Sequence, residues 1–497
     1  MEQLKPIFEL LKAGKVSQSN RDVKVYEKSL ETYENVNLIM VRLGTEKYIL
    51  AAGDGKLFDE LSGEVVDSNY KAAPLTHENR LVLNAYFEYT VPRAFGTNVS
   101  TMGLGDRLGI ASPGHIETIR KHHIKPILAQ QSIRELTLTN RTMLEMIDAA
   151  CFAVFQEGYK AGFGADGDHI KEEKDIAYAL ELGISMLTLD CSDQIKKGID
   201  HAPIEKIERA YNSLPKEKQT YYEQQYLDKT FEIGELVIIF DKETLMKNVL
   251  VYDEAISYID HVYKTYISKL DREFDFEISI DETETITLPA EHFFVANELR
   301  ERGVKAASLA PRFCGEFQKG IDYIGDMEQF EVELAEHALI AKHFGYKLSI
   351  HSGSDKFSVF PIIAKYTEGV LHIKTAGTNW LEAMRVIAET NPKLYRRMHA
   401  YATENIEEAL QYYHITPDFS AIKPLDSVPD EALSEYMNDD NARQLIHVTY
   451  GVLLTAEDET GNYLFKDEFF QTLHHQEDAY REALVKHIGR HITTLGF

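Results

Sequence analysis

Cysteine is scarce and scattered in this chain of 497 residues. Only Cys151, Cys191 and Cys314 occur, with no CxxC spacing, so neither a disulfide framework nor a thiolate zinc site is expected; Cys191 and Cys314 read as small buried residues. No run of 18 apolar residues occurs, and the opening MEQLKPIFELLKAGKV lacks the charged-then-apolar order of a secretory signal. A soluble, cytoplasmic protein with no membrane partner is the expectation. Positive charge is the minority: 53 Lys and Arg against 80 Asp and Glu leave a net charge of −27. Nucleic acids and anionic membranes are held by phosphate-neutralising cations, so neither fits as a partner, although a local basic pocket can still take a small anion. GxGxxG, Walker and nucleophile-elbow motifs are missing too, which weighs against nucleotide cofactors and covalent acyl chemistry.

What is present is an apolar fraction of 44%, enough for a large core arranged as two or three domains or as one barrel with additions. Residues 1–94 show short alternating runs between charged and Gly-bearing turns and predict a small N-terminal α/β cap. From Phe95 short apolar runs ending in polar residues alternate with helical stretches, the rhythm of repeated βα units. The predicted strands are Val99–Leu104, Pro126–Gln131, Ala161–Asp166, Met186–Asp190, Phe274–Ile280, Ala306–Ala310, Tyr346–His351 and Leu371–Lys374. Eight strands suit a TIM (β/α)8-type barrel, which takes about 250 residues, here over 95–390. The excess length is read as a helical insertion between strands 4 and 5, about 200–265, and residues 391–497 as a C-terminal helical extension.

Alternation within the strands carries more information than their number. Successive side chains point to opposite faces, so Glu277, Ser279 and Asp281 oppose Phe276, Ile278 and Ile280. Lys347, Ser349 and His351 oppose Leu348 and Ile350, His372 and Lys374 oppose Leu371 and Ile373, and Thr188 and Asp190 oppose Leu187 and Leu189. Barrel interiors are ordinarily layers of Val, Ile and Leu. Inward Glu, Asp, His and Lys at strand ends therefore point to a site at the C-terminal rim.

Five segments could carry chemistry. GFGADGDH (162–169) sets Asp166, Asp168 and His169 at a strand end, where Asp and neutral His suit a divalent cation; an Asx-rich turn with Asp168 as N-cap fits as well. HSGSDK (351–356) offers His351 as a ligand and Ser352–Ser354 as anion donors, or only a strand-to-helix turn. In LHIKTAGT (371–378), His372 and Lys374 share the inward face, either at an anion site or as hydrogen-bonded core. RFCGE (312–316) supplies Arg312 as a carboxylate clamp and Glu316 as a ligand, or an Arg–Glu pair. Glu277, in the middle of an apolar strand, is a candidate acid with a raised pKa. Arg107, and Gln130, Gln131 and Ser132 in QQS, suit hydroxyl or carboxylate recognition or plain loop polarity.

At these residues the sequence resembles the tagaturonate epimerase family. The resemblance lies in Phe95–Thr97 with GDRLGI, then ILAQQSIRE, FQEGYKAGFGADGDHIK, FDFEISIDETET, RFCGEFQKGIDYIGD, LSIHSGSDKFSVFP, HIKTAGT and RQLIHVTYG, in matching order from about residue 93. The family pattern has Ala where this chain has Gly167. The resemblance implies a divalent-metal-dependent isomerase (Zn, Mn, Ni, Co or Fe) interconverting D-tagaturonate and D-fructuronate in hexuronate catabolism. It implies Asp168 as proton acceptor, Glu277 as proton donor, and His169 and His351 as metal ligands, with His372 and Glu316 as candidates to complete the set. Arg107, Gln131, Ser132, Arg312 and Lys374 are the expected contacts to a small anionic sugar acid. The inverting carbon lies two bonds from both the ketone and the carboxylate, so enolisation cannot invert it. Retro-aldol cleavage and re-addition is the economical route. An aldolase or lyase, a ketose 4-epimerase on the same metal site, and a non-catalytic sugar-acid binder are the alternatives. A homo-oligomer is compatible with all of them, and Arg443 and His447 fit either a closing or a structural role.

Overall fold

The computed structural model describes residues 2–281, 283 and 285–497. Glu282 and Glu284, within the FDFEISIDETET stretch, lie outside the described residues. An antiparallel sheet comes first: β1 (Val23–Tyr33), β2 (Val36–Leu43), β3 (Glu46–Gly53), β4 (Glu64–Asp67) and β5 (Tyr70–Pro74), in the order β1-β2-β3-β5-β4. Alternation divides its apolar residues between two cores. Val25, Ile39, Val41 and Leu50 pack with Ile7 and Phe8 of the helix Lys5–Lys12. Leu38, Met40 and Ile49 face the other way, onto Phe152 and Phe155 of the helix Met143–Gln156. The sheet is thereby fastened to the outside of the next unit.

That unit is a closed parallel barrel. Its strands are β6 (Thr101–Gly103), β7 (Lys125–Ser132), β8 (Gly164–Ile170), β9 (Met186–Asp190), β12 (Asp275–Ser279), β13 (Ser308–Ala310), β14 (Lys347–Ile350) and β15 (Leu371–Lys374). Chain neighbours pair throughout, β9 meets β12 across the insertion, and β15 meets β6 to close the ring. All eight predicted strands are there. The third lies further along than predicted, because the β8–β9 register shifts between Gly167 and Ile170 and His169 turns through left-handed backbone (φ 53°). Phe276, Ile278, Leu348, Ile350, Leu371 and Ile373 face the surrounding helices. Thr101, Thr188, Glu277, Ser308, Lys347, Ser349 and His372 are buried on the inner face.

The insertion carries the helices Ile204–Asn212, Lys216–Tyr226 and Lys242–Val262, as expected, but also a hairpin, β10 (Thr230–Ile233) and β11 (Leu236–Ile239). Its signal was legible in FEIGELVII: Gly234 turns at φ 58°, and Leu236 and Ile238 are buried while Val237 and Ile239 are exposed. Beyond the barrel, the helices Pro392–Glu404, Asp440–Val448 and Glu477–Thr494 share a second core with Trp380, Leu381 and Met384. Among the described residues no helix is long and apolar enough to cross a membrane, and all three cysteines are buried and free.

Candidate active site

Strand register builds the site from below. Glu277 lies opposite Thr188 on one side and Ser308 on the other, Ser308 lies opposite Lys347, and His372 lies opposite Ser349 and Thr101. Each residue projects inward, so register alone collects a polar layer in the barrel. Lys374, one inward step above His372, reaches across it. Its Nζ lies 2.6 Å from Asp168 Oδ1, 3.0 Å from Asp166 Oδ2 and 3.0 Å from Glu277 Oε1, and it donates to Thr188 Oγ1. Buried ions persist only when paired and hydrogen-bonded, and this ammonium is paired three times over.

Above that layer stand two imidazoles. His351, one residue past β14, sets Nε2 2.9 Å from Glu277 Oε1 and Nδ1 3.0 Å from Asp281 Oδ2. The His169 ring lies 4.7 Å away, centre to centre, with Nδ1 2.7 Å from Asp168 Oδ1. Gln130 Nε2 donates to Asp168 Oδ2 at 2.9 Å. His169, Asp281 and His351 each offer a ligand atom within 4.8 Å of the other two, a grouping able to hold a metal ion.

Burial and charge pull against each other at every group. Burial pushes the Asp168 carboxyl up, but Lys374 and His169 outweigh it and hold it well below the usual carboxylate range. Asp166 goes the other way: burial, helped by the neighbouring Asp168 and Glu277 charges, pushes it up to about 6 against the pull of Lys374. Burial opposes charge on His351, yet Asp281 and Glu277 push it up to about 10. The raised pKa expected for Glu277 is not found. Burial does raise it, but Lys374, His372 and His351 together carry it well below its ordinary value.

The rim opens into two cavities. The inner, about 250 Å³, is lined by Gln130, Ser132, Asp168, His169, Asp190 and Lys374 among others. The outer, about 380 Å³, is lined by Arg312, Glu316, Gln318, Tyr412 and His414. Arg134, Asp281, Lys319, His351 and Ser352 border both, so the two form one cleft.

The predicted residues divide on this geometry. Asp168, His169, Glu277, His351 and Lys374 come together. His372 lies lower, its Nδ1 2.8 Å from Thr101 Oγ1, and burial pushes it down to about 3; it is outside the His169–Asp281–His351 group. Glu316 is also outside it, exposed on the outer cavity, bonded to Gln318 and 3.8 Å from His414. Arg107 borders neither cavity. It is fully buried, donates Nε to Glu135 at 2.9 Å, and lies 3.9 Å from the centre of the Tyr450 ring. Gln131 takes the outward position that alternation denies to Gln130, and accepts from Arg141 at 3.0 Å. Ser132 lines the inner cavity and caps the helix Ile133–Leu138. Arg312 lines the outer cavity and donates to the Thr283 carbonyl. Sequence reasoning did not place Asp281 among the candidate ligands, although it lies two residues beyond Ser279 on the inward face and joins His169 and His351 in the group able to hold an ion. It also passed over Arg134 and Lys319, although both lie within the stretches ILAQQSIRE and RFCGEFQKGIDYIGD.

A parallel barrel whose C-terminal mouth gathers carboxylates, imidazoles and a lysine around a polar cleft defines an enzyme of the (β/α)8 class. The sequence model of the tagaturonate epimerase family matches residues 26–495, and the chain belongs to that family of carbohydrate isomerases. The tagaturonate/fructuronate epimerase of Thermotoga maritima is 41% identical over 481 residues, which cover 96% of this chain and 97% of that protein. Crystal structures of the fructuronate-tagaturonate epimerase of Cohnella laeviribosi, one native and one with a single glycerol, are each 55% identical with a TM-score of 0.95 over 100% of both chains.

Proposed function

We propose that this protein is a divalent-metal-dependent epimerase interconverting D-tagaturonate and D-fructuronate in the cytoplasm, acting by retro-aldol cleavage and re-addition. The observation that carries the reading is the packing of Asp168, His169, Asp281 and His351 around the inner cavity, with Glu277 buried beneath them against His351. Two histidines and a carboxylate suit a borderline divalent cation; His351, between the Glu277 and Asp281 carboxylates, sits where positive charge is favoured and would give up its proton on taking the ion. His169, Asp281 and His351 would hold the ion. When bound, it would act as a Lewis acid toward the substrate carbonyl.

The chain supplies the proton transfers. Asp168, ionised and steadied by Gln130 and Lys374, accepts the proton of the hydroxyl on the inverting carbon. The adjacent C–C bond breaks, the aldehyde turns, and addition to its other face gives the epimer. Glu277, assigned the return of a proton, must first gain one. Thr188 Oγ1 lies 3.1 Å from Glu277 and 2.9 Å from Asp166, which joins Glu277 to a carboxyl that keeps its proton to about pH 6. Arg312 and Arg134 border the outer cavity and are placed to meet the substrate carboxylate, a role expected from the sequence for Arg312 together with Arg107 and Lys374. The test is metal analysis of purified protein with an assay on D-tagaturonate before and after chelation. Loss of turnover on chelation and its return with metal support the reading. Full activity without metal, or accumulation of three-carbon products, defeats it.

A further inference from the structure

Two irregular segments shape the cleft, one carrying Lys319 after β13 and one carrying His351 and Ser352 after β14. In the second, Ser352 and Asp355 adopt left-handed backbone, φ 50° and 63°. Non-glycine residues hold that conformation only where the surroundings over-determine it.

The surroundings here come from the C-terminal helices. Asp355 is buried, with Oδ2 2.9 Å from Arg443 Nη2 and Oδ1 2.8 Å from His487 Nε2. Its amide donates to His491 Nε2 at 2.9 Å. Arg443 also donates Nε to the Gly320 carbonyl at 2.7 Å, beside Lys319. Lys356 completes the tie from the other side, its Nζ donating to the carbonyls of Gln318 at 2.8 Å, Ile321 at 2.6 Å and Ser354 at 2.9 Å. Asp355, His487 and His491 also have the spacing of a metal group. There the guanidinium already meets the carboxylate, and the His491 Nε2 lone pair already accepts an amide, so ion pairing is the better account of the cluster.

We propose that Asp355, through Arg443, is a positioning residue. It clasps the segments after β13 and β14 to each other and to the C-terminal helices, and so fixes His351 relative to Lys319 without touching substrate. The catalytic part of this inference rests on the epimerase reading of the cleft. A misplacement of about 1 Å at a reacting group can cost roughly a hundredfold in rate, so a loosened clasp is read in kcat before it is read in folding.

The experiment compares the full-length protein with D355N, R443M, the double variant and R443K. Each is assayed on D-tagaturonate for kcat and KM, and peptides covering 318–321 and 351–356 are followed by hydrogen exchange. The expectation is a fall in kcat of tenfold or more in D355N and R443M, with the double variant no worse than the poorer single one. Partial recovery in R443K is expected, together with faster exchange confined to those two segments. Values of kcat/KM within threefold of the parent, or losses that track the unfolded fraction with exchange faster throughout, overturn the proposal. A parent that leaves D-tagaturonate unchanged refutes the epimerase reading instead, and the exchange measurements still decide whether the clasp exists.

Discussion

The ammonium of Lys374 lies 2.6 Å from the carboxylate of Asp168 at the centre of the barrel mouth, with Asp166 and Glu277 each 3.0 Å from the same nitrogen. One cation thus holds together three buried anions from two other strands. Removing one partner of a buried ion pair costs about 3–5 kcal/mol, because the charges left behind have no solvent. Lys374→Met is therefore expected to lower Tm as well as to abolish turnover. Thermal unfolding followed by circular dichroism checks this, and a variant as stable as the parent would show the cluster to be dispensable.

Asp168→Asn keeps the shape but replaces one accepting oxygen by an amide donor, and so removes the proposed base together with one of the bonds from Gln130 or Lys374. General-base catalysis contributes about 10²–10⁴-fold, so kcat should fall by at least that range, and Tm should fall too because the variant removes one charge from the buried pair with Lys374. Glu277→Gln should match it if Glu277 returns the proton. Steady-state kinetics on D-tagaturonate separate the two, since an unchanged kcat in either variant removes that residue from the chemistry.

Asp281→Asn tests the proposed ligand that sequence reasoning left out. Replacing one of three ligands weakens a divalent site, so bound metal after dialysis should drop from near one per chain toward zero, with His169→Asn and His351→Asn giving the same result. Elemental analysis is the readout, and undiminished metal in Asp281→Asn would place the ion elsewhere.

Glu291 gives a stability signature remote from the cleft. Burial, with Asp200 adding to it, pushes its carboxyl from 4.5 up to about 7, while its side chain accepts the Leu288 amide at 2.8 Å. A carboxyl whose folded pKa is raised holds its proton in the native state over a range where the unfolded chain has lost it. Its contribution is therefore complete below about pH 4.5 and is lost as pH rises to about 7. The shift corresponds to about 3 kcal/mol. Between pH 5 and pH 8, Glu291→Gln should lose less stability than the parent; parallel pH profiles in denaturant titrations would contradict this.

The barrel was legible in the sequence because each strand carries its own instruction. Leu-Ser-Ile-His and Leu-His-Ile-Lys alternate with period two, so one face seeks the helices and the other is committed to the interior before any neighbour is known. That rule already placed Glu277, His351, His372 and Lys374 on inward faces. It misplaced the third strand, whose register shift hinges on the backbone of one residue, His169, and it missed the hairpin at Gly234 inside a stretch of helices.

What strand alternation could not decide is how far each inward side chain reaches and what it meets there. His372 and Lys374 share a face, yet His372 stops at Thr101 while Lys374 spans the barrel to Asp168. Arg107 has the chemistry of a carboxylate clamp, but Glu135 and Tyr450, distant in the chain, enclose it. Gln130 and Gln131 are alike as letters, and only closure of the ring sets one against Asp168 and the other against Arg141. Direction is local, a property of the backbone at each residue. Distance and charge environment are sums over segments from tens to hundreds of residues apart, and those exist only once the ring has closed.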